Sequence, residues 1–300
     1  MLVTAGLLLA VLVLLATVVP ARLAAASWPV RAPTLALLLW QAIGLAGGLV
    51  ALEAAATVAL DPYGRTQIAA LHRLVRHPSA SIPWWSVAAA LVALAILLRL
   101  TSVLAASTVG TLRARHRHRV LVDLVAVPSP ALRGARVLAH DVPVAYCVPG
   151  LRPRVVLSEG VLQLLSDDEV AAVLAHERAH LTQRHDLVVL PFVALGATFP
   201  RLAAVRTARL EVALLVEMLA DDRAVRRHSP QVLARALFKV GTGAVPAGGL
   251  GAGGEAVLLR ARRLLVPPDP LPRAAAAAVV AVGLLVAALP LAGLLIPVIV

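Results

Sequence analysis

Charge is scarce in this sequence. Only 15% of its 300 residues are Asp, Glu, Lys or Arg, against about 25% in ordinary globular chains. Hydrophobic residues make up 60% and mean hydropathy is +0.88. That excludes an intrinsically disordered chain, which needs low hydrophobicity and high charge. Cysteine is nearly absent: Cys147 stands alone. A disulfide-stapled scaffold is therefore excluded, as is a closed zinc site built on four or two cysteines. Lysine is almost missing too, Lys239 being the single one, so arginine carries the formal charge of +12. So basic a chain suits a nucleic-acid partner. Arginines crowding beside apolar spans explain it more directly, and direct nucleic-acid binding is not expected. No internal repeat is evident.

What the sequence does have is long uncharged runs. Residues 2–19 carry no charge, 35–60 only Glu53, 84–107 only Arg99, and 274–300 none. Each reaches the roughly 18 residues that mark a candidate helix for crossing a ~30 Å hydrocarbon core. The chain therefore reads as an α-helical integral membrane protein with about four transmembrane helices and the lipid bilayer as a partner. No basic residue precedes the first run, and the run exceeds the ~7–15 residues of a signal core, so it is expected to stay as an anchor. Arg113, Arg115, Arg117 and Arg119 follow the third run, and Arg260, Arg262, Arg263 and Arg273 precede the fourth. Positive flanks mark the inner side. They predict a multi-pass cell-membrane protein with 108–273 in the cytoplasm and both chain ends outside. Arg22 and Arg31 in the first loop agree; Arg65, Arg73 and Arg76 in the second do not. Glu53 and Arg99 fall about 15 Å apart in depth at 1.5 Å per residue. Each is expected to snorkel to its nearer interface rather than pair with the other.

Eleven of the 16 acids lie between Asp141 and Asp222, which marks the water-facing domain. Residues 120–127, 137–139, 142–148 and 155–157 read as short strands, with a Pro149-Gly150 turn between the last two. Ser166-Asp167-Asp168-Glu169 is a capping box that opens a helix from 167 to about 184. Residues 187–205 are apolar but hold Pro191 and Pro200. They are short for a span and read as a re-entrant or interfacial segment. A second helix is expected over about 205–227. Seven glycines in the 14 positions 241–254 read as a flexible linker. The expected organisation is three spans in 1–107, a domain at 108–240, a linker and basic juxtamembrane segment at 241–273, and a fourth span at 274–300.

The capped helix carries His176-Glu177-Arg178-Ala179-His180. Spacing of i, i+4 puts both imidazoles on one helical face, where two nitrogens one turn apart can share a tetrahedral zinc ion. Glu177 follows the first histidine and can act as general base toward a water that the metal activates. Catalytic zinc needs a third protein ligand. His185, Asp186, Glu211, Glu217, Asp221 and Asp222 are candidates. His185 and Asp186 are out of helical phase with the 176/180 face unless the chain bends. Glu217 and Asp221 are themselves i, i+4, so one can ligate while the other supports a ligand. His228 and nearby arginines are candidate stabilisers of an oxyanion. A peptide substrate is expected to add as a strand along Val155–Leu157, read as the edge nearest the zinc helix.

His176-Glu-Arg-Ala-His-Leu-Thr-Gln-Arg-His-Asp186 and Glu217-Met-Leu-Ala-Asp-Asp222 resemble the BlaR/MecR family of membrane metallopeptidases. These are the peptidase parts of β-lactam sensor-transducers and antirepressors in the gluzincin clan. The related Ste24/HtpX-like peptidases share both motifs. The resemblance implies a cytoplasmic α+β, zincin-like metallopeptidase domain holding Zn2+ through His176, His180 and Glu217. It implies Glu177 as catalytic base and Asp221 as the group that orients a ligand histidine. The implied function is zinc endopeptidase action on a cytoplasmic regulator, such as a transcriptional repressor, or on the protein itself. The alternatives are a Ste24/HtpX-like quality-control protease and a non-catalytic transmembrane signalling protein with a zinc site. Those sensors carry a penicillin-binding domain after the fourth span. This sequence reads as lacking one, so no acylation by a β-lactam in that way is expected.

Overall fold

A computed structural model describes residues 2–76, 81–132, 134–150, 152–243 and 252–295. Most of the glycine-rich linker (244–251) and the last residues of the fourth run (296–300) lie outside the described residues. The chain opens with α1 (Leu2–Ala16), α2 (Val18–Ala24), α3 (Pro33–Leu60), α4 (Gln67–Arg76) and α5 (Trp84–Val125). A small sheet follows: β1 (Ala126–Ser129), β2 (Ala135–Leu138), β3 (Ala145–Val148) and β4 (Arg154–Ser158). Then come α6 (Glu159–Leu164), α7 (Asp167–Thr182), α8 (His185–Thr198), α9 (Ala203–Ala224), α10 (Pro230–Gly243), α11 (Ala252–Leu265) and α12 (Arg273–Leu295).

Among the described residues, four helical stretches are long and apolar enough to cross a membrane: Leu2–Ala24, Pro33–Tyr63, Trp84–Val125 and Arg273–Leu291. The third differs most from its sequence reading. Residues 120–125 were expected to open a strand, yet α5 runs unbroken through them for 42 residues. At 1.5 Å per residue it is roughly 63 Å long, about twice a hydrocarbon core. The cause is tertiary. Val122 is buried against Ala126 and Val156, so it packs on the sheet from a helix rather than from within a strand. Glu53 also departs from expectation. It is buried, 7% exposed, instead of reaching a surface, while Arg99 is exposed. Val50 and Ala54, on either side of Glu53 in α3, are buried in a cluster with Leu8 of α1.

The sheet order is β1-β2-β4-β3. The Pro149-Gly150 turn closes an antiparallel β3–β4 hairpin in which Val148 opposes Arg154. β4 also pairs in parallel with β2, so Val155–Leu157 is interior. The edge strand against α7 is β3, which corrects the expected substrate edge. Leu157 and Val161 are fully buried with Val173 and Leu174 of α7, each side chain contributing about 1.5–3 kcal/mol of burial.

Residues 187–205 are mostly helical. They form α8 and the start of α9, an antiparallel pair. Phe192, Ala208, Val212 and Leu215 pack on Ala36, Leu37, Trp40 and Ile43 of α3. Gln41 Nε2 donates to the Val188 carbonyl at 2.7 Å. The domain thus shares a core with an apolar membrane-length helix. The flanks of the glycine-rich stretch are helical: 241–243 end α10 and 252–254 open α11.

Candidate metal centre

Helix α7 begins as its capping box predicts, with Glu169 accepting the Ser166 backbone N–H at 3.0 Å. It presents His176 and His180 to α9, which carries Glu217 and Asp221. The two histidine Nε2 atoms are 3.1 Å apart. Glu217 Oε2 lies 3.3 Å from His176 Nε2, and Oε1 3.4 Å from His180 Nε2. Three ligand atoms at ~2.0–2.1 Å from a tetrahedral zinc are separated by roughly 3.3 Å. One Glu217 oxygen lies at that spacing from each histidine, and one ligand atom from each of the three side chains lies within 4.8 Å of the others, close enough to share a zinc ion. The other ring nitrogens are also engaged. His176 Nδ1 lies 2.9 Å from Asp221 Oδ1, although its N–H is not aimed squarely at it. His180 Nδ1 lies 3.0 Å from His185 Nδ1. Both contacts turn Nε2 toward Glu217, as ligand histidines require.

His185 reaches this position because the chain does bend. Arg184 adopts a left-handed conformation, φ 52° and ψ 42°, and starts α8 at a new angle. His185 is thus buried beside His180 rather than out of phase. Asp186 lines the same cleft but is not one of the clustered ligands; it accepts from Arg115 of α5 at 2.7 Å.

Electrostatics divide the site. Burial pulls His176 down, but Asp221 and Glu217 outweigh it, and the imidazole stands above its ordinary value. Burial dominates at His180, lowering it to about 4. Burial raises Asp221, yet Arg260 and His176 hold it well below the usual carboxylate range. Glu217 is likewise lowered, its burial outweighed by His176 and Arg260. Glu177 moves the other way: burial raises it, which suits a general base. Its carboxylate shares a hydrogen bond with the Cys147 thiol, which burial and the Glu177 charge push up to about 12.

A cleft of about 320 Å³ opens at the site. His180, His185 and Glu217 line it together with Cys147 of the edge strand, Arg115 of α5 and the apolar Val189 and Val193 of α8. His228 is elsewhere. It lines a second cleft with Arg178, Arg223 and Arg227, behind α7. The residues that sequence reasoning missed are Cys147 and Arg260. Cys147 is placed only by strand pairing. Arg260 was read as a juxtamembrane charge, yet it is buried and bonded to Asp221 and Glu217. An i, i+3 pair of arginines, 260 and 263, matching the acids at 217, 221 and 222 is the signal that could have found it.

Residues 111–228 match the model of Peptidase family M48. This part of the chain carries a domain of that zinc metallopeptidase family, and His176, Glu177, His180, Glu217 and Asp221 all fall inside it. Arg260 does not. No curated protein and no solved structure matches the chain.

Proposed function

We propose that the protein is a membrane-anchored zinc endopeptidase with its domain in the cytoplasm, cleaving a cytoplasmic regulator or itself in signal transduction. The observation that carries this is the convergence of His176, His180 and Glu217, close enough to share a zinc ion, with Glu177 one residue along the helix. Bound zinc would supply Lewis acidity to a peptide carbonyl and to water. The chain's own groups do the rest. Asp221 and His185 hold the two imidazoles with Nε2 inward. Glu177, raised by burial, takes a proton from water and passes it to the leaving amine. As the edge strand, β3 offers backbone groups to an extended peptide. Val189 and Val193 give the cleft an apolar wall for a substrate side chain.

A second reading is a protease that clears many damaged membrane proteins. It is favoured by the packing of α9, which carries Glu217, directly on α3. Comparing new protein N-termini in membranes with wild type and with Glu177→Gln separates the two. One or two cytoplasmic fragments lost in the variant support a regulatory protease. Many membrane-protein fragments favour clearance. Identical profiles with zinc bound sink both.

A further inference from the structure

We propose that Arg260 is a positioning residue of the metal centre, holding Glu217 and Asp221 from α11 so that Glu217 has one oxygen to give to a metal. This builds on the metal-site reading above. Arg260 is 7% exposed, and a buried guanidinium persists only when paired. All three nitrogens of its planar fork are engaged. Nε and Nη2 donate to the two oxygens of Asp221, each at 2.8 Å, and Nη1 lies 2.9 Å from Glu217 Oε2. That leaves Glu217 Oε1, 3.4 Å from His180 Nε2, while Oε2, the oxygen 3.3 Å from His176 Nε2, is the one Arg260 holds. A carboxylate held to one oxygen keeps the coordination number low and a position open for substrate. Asp221, braced by Arg260 on one side, meets His176 on the other.

The origin of Arg260 matters as much as its contacts. It lies beyond residues 111–228, on the helix that leads to α12, so the matched domain is not self-sufficient at its metal centre. Helix α11 is fixed independently by Arg263, which donates to Asp222 at 2.6 and 2.9 Å and to the Val30 carbonyl at 2.8 Å. Arg31 returns the connection, donating to the Asp269 carbonyl at 2.9 Å. The segments entering α3 and α12 therefore meet behind the carboxylates of α9.

The test uses the full chain in detergent micelles, with Zn2+ titrated against a chromophoric chelator and Co2+ as a spectroscopic probe. Arg260→Gln is expected to weaken zinc binding by about 10–100-fold, as loss of a ligand's supporting partner does. It should also change the cobalt absorption band, because Glu217 gains a second free oxygen. Arg260→Lys should fall between, since one ammonium cannot fork across two carboxylates. Arg263→Gln, which loosens α11 without touching Glu217, should leave affinity and spectrum near wild type. Unchanged or tighter zinc binding in Arg260→Gln overturns the proposal. So does an equal loss in Arg263→Gln, which would make the effect one of helix docking. If Arg260→Gln does not fold, Arg260→Lys decides: weaker binding at unchanged thermal unfolding supports the role, wild-type affinity overturns it. A wild type that binds no metal fails at the earlier step, the site itself.

Discussion

Asp221 is the residue on which most of the centre's contacts converge. It is 1% exposed, faces His176 Nδ1 and accepts from Nε and Nη2 of Arg260. Asp221→Asn keeps the volume but removes the charge that both partners need. Zinc affinity should fall by about 10–100-fold, with chelator competition as the measurement; an unchanged affinity would show that the imidazole is oriented by packing alone. The residues legible in the sequence are those joined by helical periodicity. His176 with His180, and Glu217 with Asp221, announce themselves at i, i+4. Contacts made between elements leave no such trace. Arg260 sits 39 residues from Asp221, and Cys147 meets Glu177 only because β3 is the edge strand. His185 was visible as a candidate, but its position depends on a left-handed Arg184, a conformation that sequence signals with glycine or asparagine rather than arginine.

At the level of elements, α7 is held at its N-terminus by Glu169. That side chain is 3% exposed and accepts from Lys239 of α10 at 2.7 Å as well as from Ser166. Burial raises its pKa, but these bonds outweigh burial, and the net shift is below the ordinary 4.5. A depressed carboxylate stabilises the fold above its unfolded value, and that contribution is lost as pH falls through the folded one. Unfolding midpoints measured from pH 5 downward should therefore drop in wild type and drop less steeply in Glu169→Gln. Parallel slopes would remove Glu169 from the account. Helix α7 was legible because its cap and stripe are local. The helical course of 120–125 was not, because valine-rich residues there follow a helix that begins far upstream and packs on the sheet. The interior place of β4 was hidden as well, since a parallel partner, β2, comes from outside the hairpin.

For the whole molecule, four apolar runs were plain from composition, while the placement of charge was harder to read. Arg260 and Arg263, counted as flanking charges that set orientation, are instead bonded to acids of α9. Sidedness then leans on the arginines at the far end of α5, and it can be measured. Val75 of α4 is 74% exposed, in the loop expected outside. Val75→Cys should react with a membrane-impermeant maleimide added to intact cells, whereas wild type, with only Cys147 in the proposed cytoplasmic cleft, should not. Labelling only after lysis would invert the topology. The long reach of α5 carries its own consequence. One end of this rod would sit among lipid tails, and the other supplies Arg115 to the rim of the cleft. Helices accommodate bilayer thickness by tilting, and a tilt of about 5° moves Arg115, roughly 47 Å along the rod, by roughly 4 Å. On the peptidase reading proposed above, a thicker or thinner bilayer would be felt at the cleft through the Arg115–Asp186 bond, making the membrane's own dimensions an input to the site.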